Sequence, residues 1–423
     1  MRVNGRVRVP GDKSISHRAL FLAALARGRS RLSGLLASED VQSTAQLLRQ
    51  LGVVVSRVRS DTVVTVGGRR FHTPGATLHC GNSGTTARRG LGAIAGHPIR
   101  ARLTGDASLR RRPMRRVIEP LRLMGARFVE DREALPLEVR GGKLHGITYD
   151  SPVPSAQVKS AILLAALAAR VPVTVSEPWR SRDHTERLFV HLGLNVRETK
   201  GAISYQPSAT SFGSFELTVP GDISSAAFLV GAAVLAEGGE LLIEAVGVNP
   251  TRTGFLTVLE RMGAHVERFN LGAQGGEPVA DLAVRPASLT GTDVAAAEVP
   301  SLIDEVPLLA MLAARANGAT VFRGVRELRV KESDRLALIA SNLRAVGVAA
   351  EASGEDLFVE GTARPPRGRV DTAHDHRLAM AFAVLGTIPG ADVRLSERRS
   401  VAISYPRFFQ TLRAIGRAAR HRD

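Results

Sequence analysis

A chain of 423 residues with 44% hydrophobic content can bury two cores, which excludes a disordered chain. Its single cysteine, Cys80, excludes an internal disulfide, and aromatic residues at 4% leave few platforms for stacking bases, which argues against nucleic-acid binding despite a net charge of +17. Apolar runs such as AILLAALAA are too short to span a bilayer and MRVNGRVRVPGDKS holds no apolar signal core, so a cytoplasmic protein without a membrane partner is expected.

From the N terminus, almost wholly apolar runs with helical composition recur as ALFLAALA, ARRGLGAIA, AILLAALAA, AAFLVGAAVLA, LLAMLAARA and AMAFAVLG. A helix that is apolar all round is a buried one. The segments before them, PGDKSISHR, CGNSGTT, PSAQ, PGDISS, PSLIDE and HDHR, are small or polar and suit helix N-termini. A second series alternates with the first, each copy a helix end followed by glycine: Gly52, Gly125, Gly193, Gly263, Gly347 and Gly416. These recur at intervals of about 70 residues, one of them stretched, and each glycine is expected at a left-handed C′ position. Short alternating or Val-rich stretches between the helices, such as VVVSRV, TVVTVGG, ITYD, VTVSE, LLIEAV and TVFRGV, read as strands.

The repeating unit is therefore a βαβαββ-like module. The near-identical openings VPGDKS, ending at Ser14, and VPGDIS, ending at Ser224, indicate a duplication of three modules. The expected architecture is α/β with two similar domains: residues 1–13 plus 222–423 form one and 14–221 the other, with hinges near 11–14 and 219–224. Several helix N-termini aimed into one interdomain cleft would gather free N–H groups and positive dipole ends, which favour phosphates and carboxylates.

The residues at those starts resemble one family closely. GDKSISHR, GNSGTTAR, the Arg before Pro in RRRPM, SAQVKSA, the Ser of SEPW, IDE, VKESDR, DHRLAM and SYPRFF run from residue 11 to 409 in the order found in the enolpyruvylshikimate-phosphate synthase family. SAQ and RDHTE resemble its second bacterial subgroup. The resemblance implies two domains, each of three βαβαββ repeats around buried parallel helices (an inside-out α/β barrel), and transfer of the enolpyruvyl group of phosphoenolpyruvate to the 5-hydroxyl of 3-phosphoshikimate. It also implies a monomer that works on small anionic substrates without a metal or organic cofactor.

Site residues carry over position by position. Lys13, Ser14 and Arg18 put two cations and a hydroxyl at one helix start; the resemblance implies that Lys13 touches both substrates and that Ser14 and Arg18 hold phosphoshikimate. Ser155 and Gln157 fit phosphoshikimate recognition, as do Ala156 through its backbone, Ser176, and either Trp179 or Arg182 in place of an aromatic hydroxyl. Gly84, Arg88 and Arg112 are expected at phosphoenolpyruvate, together with Gln157 and with Arg335 and Arg377 at its carboxylate. Arg110, Arg111, Arg115 and Arg116 read as a solvated basic face. Asp304, expected at the start of an apolar helix, is implied as the base towards the substrate hydroxyl, ahead of Glu305. In VKESDR, expected within one helical turn, Lys331 is assigned to phosphoshikimate and Glu332 to proton transfer at the methylene carbon. His376 is expected to orient or pack.

Two positions depart from the wider family: Ile403 stands where a subset has a lysine, and Glu327 where some relatives have an amide. Gly84 leaves room for the inhibitor glyphosate, so sensitivity is expected. Two rival readings are a transferase acting on UDP-N-acetylglucosamine, whose usual loop cysteine is missing here, and a basic nucleic-acid-binding protein.

Overall fold

The computed structural model describes residues 1–58, 62–68, 70–129, 132–199, 201–210 and 212–417. The chain divides into two compact units. The first is made of Met1–Pro10, Gly221–Ala273 and the chain from Pro278 onward; the second is Gly11–Pro220 together with Gln274–Glu277.

Six buried helices form the centres of the two units. The second unit holds α1 (Lys13–Leu25), α2 (Gly84–Ala95) and α3 (Ala156–Ala169). The first holds α4 (Ile223–Val234), α5 (Val306–Ala313) and α6 (His376–Leu385). Each trio packs into its own apolar core, one around Phe21, Leu91 and Leu164, the other around Phe228, Met311 and Phe382. Small residues bring the helices close. A Cβ on Gly92 of α2 would stand 2.3 Å from the carbonyl oxygen of Ala161 on α3, so only glycine permits that approach.

Around α2 and α3 one pattern repeats. The strand before the helix runs parallel to the strand after it, and that strand is antiparallel to the second arm of a hairpin. Leu78–His79 pairs with Arg100–Thr104 and Ile147–Asp150 with Val173–Ser176 in parallel; Leu137–Arg140 and Ala202–Tyr205 add the antiparallel partners. The strands flanking α1 and α4 are exchanged between units. Arg2–Arg8, which precedes α1, pairs with Gly238–Gly247, the strand after α4. Glu216–Thr218, which precedes α4, pairs with Gly28–Ser33, the strand after α1. The two chain crossovers match: the N–H of Asp12 donates to Pro220 O and that of Asp222 to Pro10 O, each at 2.8 Å.

The outer helices end as the glycine series predicts at five positions. Gly52, Gly125, Gly193, Gly263 and Gly347 all have φ between +73° and +106°. The sixth copy differs. Gly416 lies inside the helix Phe408–Arg417, where a Cβ would meet Met1 Sδ at 2.7 Å. The reason is that the last module lacks a hairpin among the described residues. Its sheet is two strands, Arg367–Val370 and Asp392–Leu395, followed by a 3₁₀ turn at Arg399–Ile403 and that amphipathic helix, so no left-handed turn into a strand is needed. Among the described residues no helix is long and apolar enough to cross a membrane.

Candidate active site

In the second unit the starts of α1, α2 and α3 carry the predicted polar groups, and caps fix where each helix begins. Asp12 accepts from the N–H of Ile15, Ser83 from Thr86 and Ser155 from Val158, each satisfying an amide that the helix itself leaves unpaired. Lys13 opens α1, its Nζ 3.2 Å from Asp40 Oδ2, and Ser14 follows it. One turn deeper, Arg18 is only 2% exposed; it donates to Thr185 Oγ1 at 2.7 Å, Ser160 Oγ at 3.1 Å and Ser14 O at 2.9 Å. These partners are all neutral. Burial lowers the Arg18 pKa to about 10 against the opposing pull of Glu186.

Gly84 is the first residue of α2. Its missing side chain matters, because a Cβ there would stand 2.9 Å from Arg88 Nη1 and 3.5 Å from Arg112 Nη1. Arg88 donates to Gln157 Oε1 at 2.7 Å and Pro113 O at 3.0 Å, tying α2 to α3; Arg112 is aimed by Asn82 Oδ1 at 2.6 Å. Gly84, Arg88, Arg112 and Gln157, predicted separately along the sequence, thus form one cationic corner. Ser155 spends its hydroxyl on capping and Ala156 is the first residue of α3. Ser176, on the strand Val173–Ser176, hydrogen-bonds to Asp150. Arg182 is half-buried beside Arg18, whereas Trp179 is 64% exposed. Of the expected solvated face, Arg115 pairs with Glu119 and Glu133, while Arg116 is half-buried with an unpartnered Nε.

In the first unit Asp304 is the centre. Its carboxylate, 13% exposed, lies 3.8 Å from Lys331 Nζ, 3.9 Å from Arg335 Nη1 and 3.6 Å from Arg377 Nη2. The sequence placed Asp304 at the start of α5. The helix instead begins at Val306, with Pro307 in its first turn, and Asp304 sits in the turn before it among three cations. Glu305 points elsewhere: it is buried, accepts from Ser224 Oγ and faces Arg252 at 3.7 Å and Arg377 at 3.5 Å.

The expectation that VKESDR forms one helical turn also fails. Lys331–Asp334 is a loop between the 3₁₀ turn Arg326–Val330 and the helix Arg335–Ala345, which Asp334 caps through the N–H of Ala337. The grouping is made by ion pairs. Arg335, 1% exposed, binds Glu332 at 2.6 Å and Asp375 at 2.7 Å. Burial works against its charge, but Asp375 and Glu332 outweigh it and raise its pKa; despite burial, Arg335 holds Asp375 below the ordinary carboxylate range. Asp375 also caps α6 through the N–H of Arg377, and His376 behind it is buried. Glu327 lies 3.8 Å from Lys331, and Ile403 is half-buried in the turn Arg399–Ile403.

Sequence reasoning missed the groups that hold these residues. Thr185 and Ser160 orient Arg18, and Lys159 is buried in ion pairs to Glu177 at 2.8 Å and Glu186 at 2.7 Å. RDHTE and SAQVKS contain them, but nothing in either string says which hydroxyl faces which arginine. Arg89 lies just past the matching segment GNSGTTAR, and the sequence does not single it out either.

The sequence model of the family described as EPSP synthase (3-phosphoshikimate 1-carboxyvinyltransferase) matches residues 1–412. The chain belongs to the EPSP synthase family. A 3-phosphoshikimate 1-carboxyvinyltransferase of Thermus thermophilus is 50% identical over 97% of this chain and 96% of its own length, and that of Nitrobacter winogradskyi 47% over 98% and 95%. Among solved structures, EPSP synthase from Acinetobacter baumannii superposes with a TM-score of 0.87 at 38% identity, covering 98% of this chain and 96% of that one. The enolpyruvyl transferase NikO from Streptomyces tendae matches at a TM-score of 0.77 and 19% identity over 98% and 95%, a likeness of fold alone. EPSP synthase architecture thus accounts for the modules and for the central helices.

Proposed function

We propose that the chain transfers the enolpyruvyl group of phosphoenolpyruvate to the 5-hydroxyl of 3-phosphoshikimate, giving 5-enolpyruvylshikimate-3-phosphate and inorganic phosphate. The observation that carries this reading, beside membership of the family, is an aspartate held among Lys331, Arg335 and Arg377. A carboxylate so placed accepts a proton, while the cations around it match the negative charges of two phosphorylated, carboxylated substrates.

Phosphoshikimate is assigned to Lys13, Ser14, Arg18, Ser155, Ala156, Gln157, Ser176, Arg182, Asp304 and Lys331. Phosphoenolpyruvate is assigned to Lys13, Gly84, Arg88, Arg112, Gln157, Arg335 and Arg377. Asp304 takes the proton of the 5-hydroxyl as its oxygen bonds to the enol carbon, and Glu332 delivers a proton to the methylene carbon. The adduct is tetrahedral, with its phosphate still attached. Loss of a proton from the new methyl group then reforms the double bond and breaks the carbon–oxygen bond to phosphate, which leaves. Lys13 and the arginines offset the charge that moves onto that phosphate.

The enzyme is read as a cytoplasmic monomer. Cys80 is buried, its thiol pushed up to about 12 by burial, and so is an inert core residue. The test of function is phosphate release from phosphoenolpyruvate with 3-phosphoshikimate or UDP-N-acetylglucosamine, in the parent and in Asp304→Ala. Release with phosphoshikimate alone, lost in the variant, is expected; release with the sugar nucleotide alone would overturn the reading. Light scattering at working concentration checks the monomer.

A further inference from the structure

Arg89 follows Arg88 on α2, but its surroundings are of another kind. Arg88 is bonded to Gln157 and to Pro113 O. Arg89 is 2% exposed, its Nε and Nη1 are buried without a hydrogen-bond partner, and among the described residues no carboxylate pairs with it. Asp12 is the acid near enough to act on it, and Asp12 is committed to capping α1. Burial disfavours the charged form of Arg89, and two further guanidinium groups, Arg18 and then Arg182, push in the same direction. Among the described residues Arg18 is itself bonded to two hydroxyls and a carbonyl.

Such a buried arginine is costly by itself. Removing an arginine from water is repaid when an anion is brought to it with good geometry, and the described residues supply Arg89 with none in direct contact. Arg18 and Arg182 act on Arg89, and both of them, with Ser14 beside Arg18, are already assigned to phosphoshikimate. A structural arginine would have been given its carboxylate.

We propose that Arg89, with Arg18 and Arg182, forms a buried site for an oxyanion of phosphoshikimate, its carboxylate or its phosphate, and so sets affinity for that substrate and not for phosphoenolpyruvate. This deepens the proposed function and rests on it. Arg89 is a binding residue here, with no part in the proton transfers.

The test compares the parent with Arg89→Leu and Arg89→Lys, measuring the Kd of phosphoshikimate by calorimetric titration, the KM of both substrates, and the melting temperature without ligand. Arg89→Leu should raise the Kd and KM for phosphoshikimate by about tenfold or more, the worth of a charge-assisted pair. The KM for phosphoenolpyruvate should stay within about twofold, since no contact with it changes. Arg89→Lys should recover part of the affinity. Ligand-free Arg89→Leu should melt no lower than the parent, because it removes an uncompensated buried charge.

An unchanged phosphoshikimate Kd in Arg89→Leu overturns the inference, and so does a variant that fails to fold, which would make the arginine structural. Titration with shikimate, which carries the carboxylate alone, and with inorganic phosphate tells which oxyanion is held; a loss with either supports the site, and a loss with neither sinks it. Turnover and binding separate the two readings. A parent that binds phosphoshikimate through Arg89 but does not turn it over would defeat the proposed reaction and leave the site standing; turnover with a Kd indifferent to Arg89 would do the reverse.

Discussion

Gly84 shows how far a single missing atom reaches. A methyl group there would meet Arg88 Nη1 at 2.9 Å and crowd Arg112 at 3.5 Å, so Gly84→Ala should displace the guanidinium groups assigned to phosphoenolpyruvate without touching the core. The expected result is a KM for phosphoenolpyruvate raised by about tenfold, with that for phosphoshikimate little changed, and weaker inhibition by any compact anion that competes at the corner, glyphosate included. Equal KM values in variant and parent would mean that the corner yields more easily than its bonds to Gln157 and Asn82 indicate. His97 supplies a residue-scale prediction of another kind. It stacks on Phe71 at 4.1 Å, and burial, then Arg70, lowers its pKa to about 4. The sign follows from the unfolded chain, where a histidine near 6.5 takes up a proton that the folded one refuses. Stability is therefore complete above pH 6.5 and is lost as pH falls towards 4, by at most about 3 kcal/mol for this group. His17, also held neutral by burial, acts in the same direction, so His97→Phe should flatten the acid limb of a stability–pH curve only in part. An unaltered limb would show that His97 protonates freely in the folded state.

Among elements, the contact between α2 and α3 reverses a familiar rule. Glycine to alanine inside an exposed helix normally stabilises by up to about 1 kcal/mol. At Gly92 the added Cβ would lie 2.3 Å from Ala161 O, which is backbone and cannot swing aside, so Gly92→Ala should destabilise by about 1–3 kcal/mol. A lower urea midpoint at an unchanged slope is the expected reading; a higher midpoint would mean that the helices separate cheaply. This contact also marks the limit of what sequence conveys about elements. Apolar composition all round identifies α1 to α6 as buried, because no other environment suits such helices, and a left-handed glycine identifies where five outer helices stop. Neither signal says that Gly416 would be packed against Met1 inside a helix, since that depends on a hairpin the last module does not have. Asp304 and Lys331 were legible as residues but not as geometry. Composition shows charges near a helix start, while a turn before Val306 and a loop before Arg335 decide where the charges go. Arg88 and Arg89 make the point most sharply, as two identical neighbours told apart only by the helices packed around them.

For the whole molecule the open question is its charge. The chain carries an excess of 17 positive charges, and on its surface many arginines do find partners, such as Arg323 with Asp293, Arg285 with Glu240 and Arg394 with Asp392. These exposed pairs are each worth little, and salt weakens them only slightly in absolute terms. The unpaired remainder repels itself over distances comparable with the Debye length, which is about 10 Å at 0.1 M salt. Two opposing effects of salt can thus be ranked: screening of repulsion acts on the entire excess, and screening of attraction acts on a few weak pairs. Raising sodium chloride from about 20 to about 200 mM should therefore raise the melting temperature of the ligand-free protein by a few degrees. Substrate should respond in the opposite sense, with the apparent affinity for phosphoshikimate falling over the same range as chloride screens the buried cations less than it screens the approach to them. A melting temperature that fell with salt would mean that the surface pairs, and not the net repulsion, dominate. The charge would then have to be credited with stability and not merely with drawing anions in.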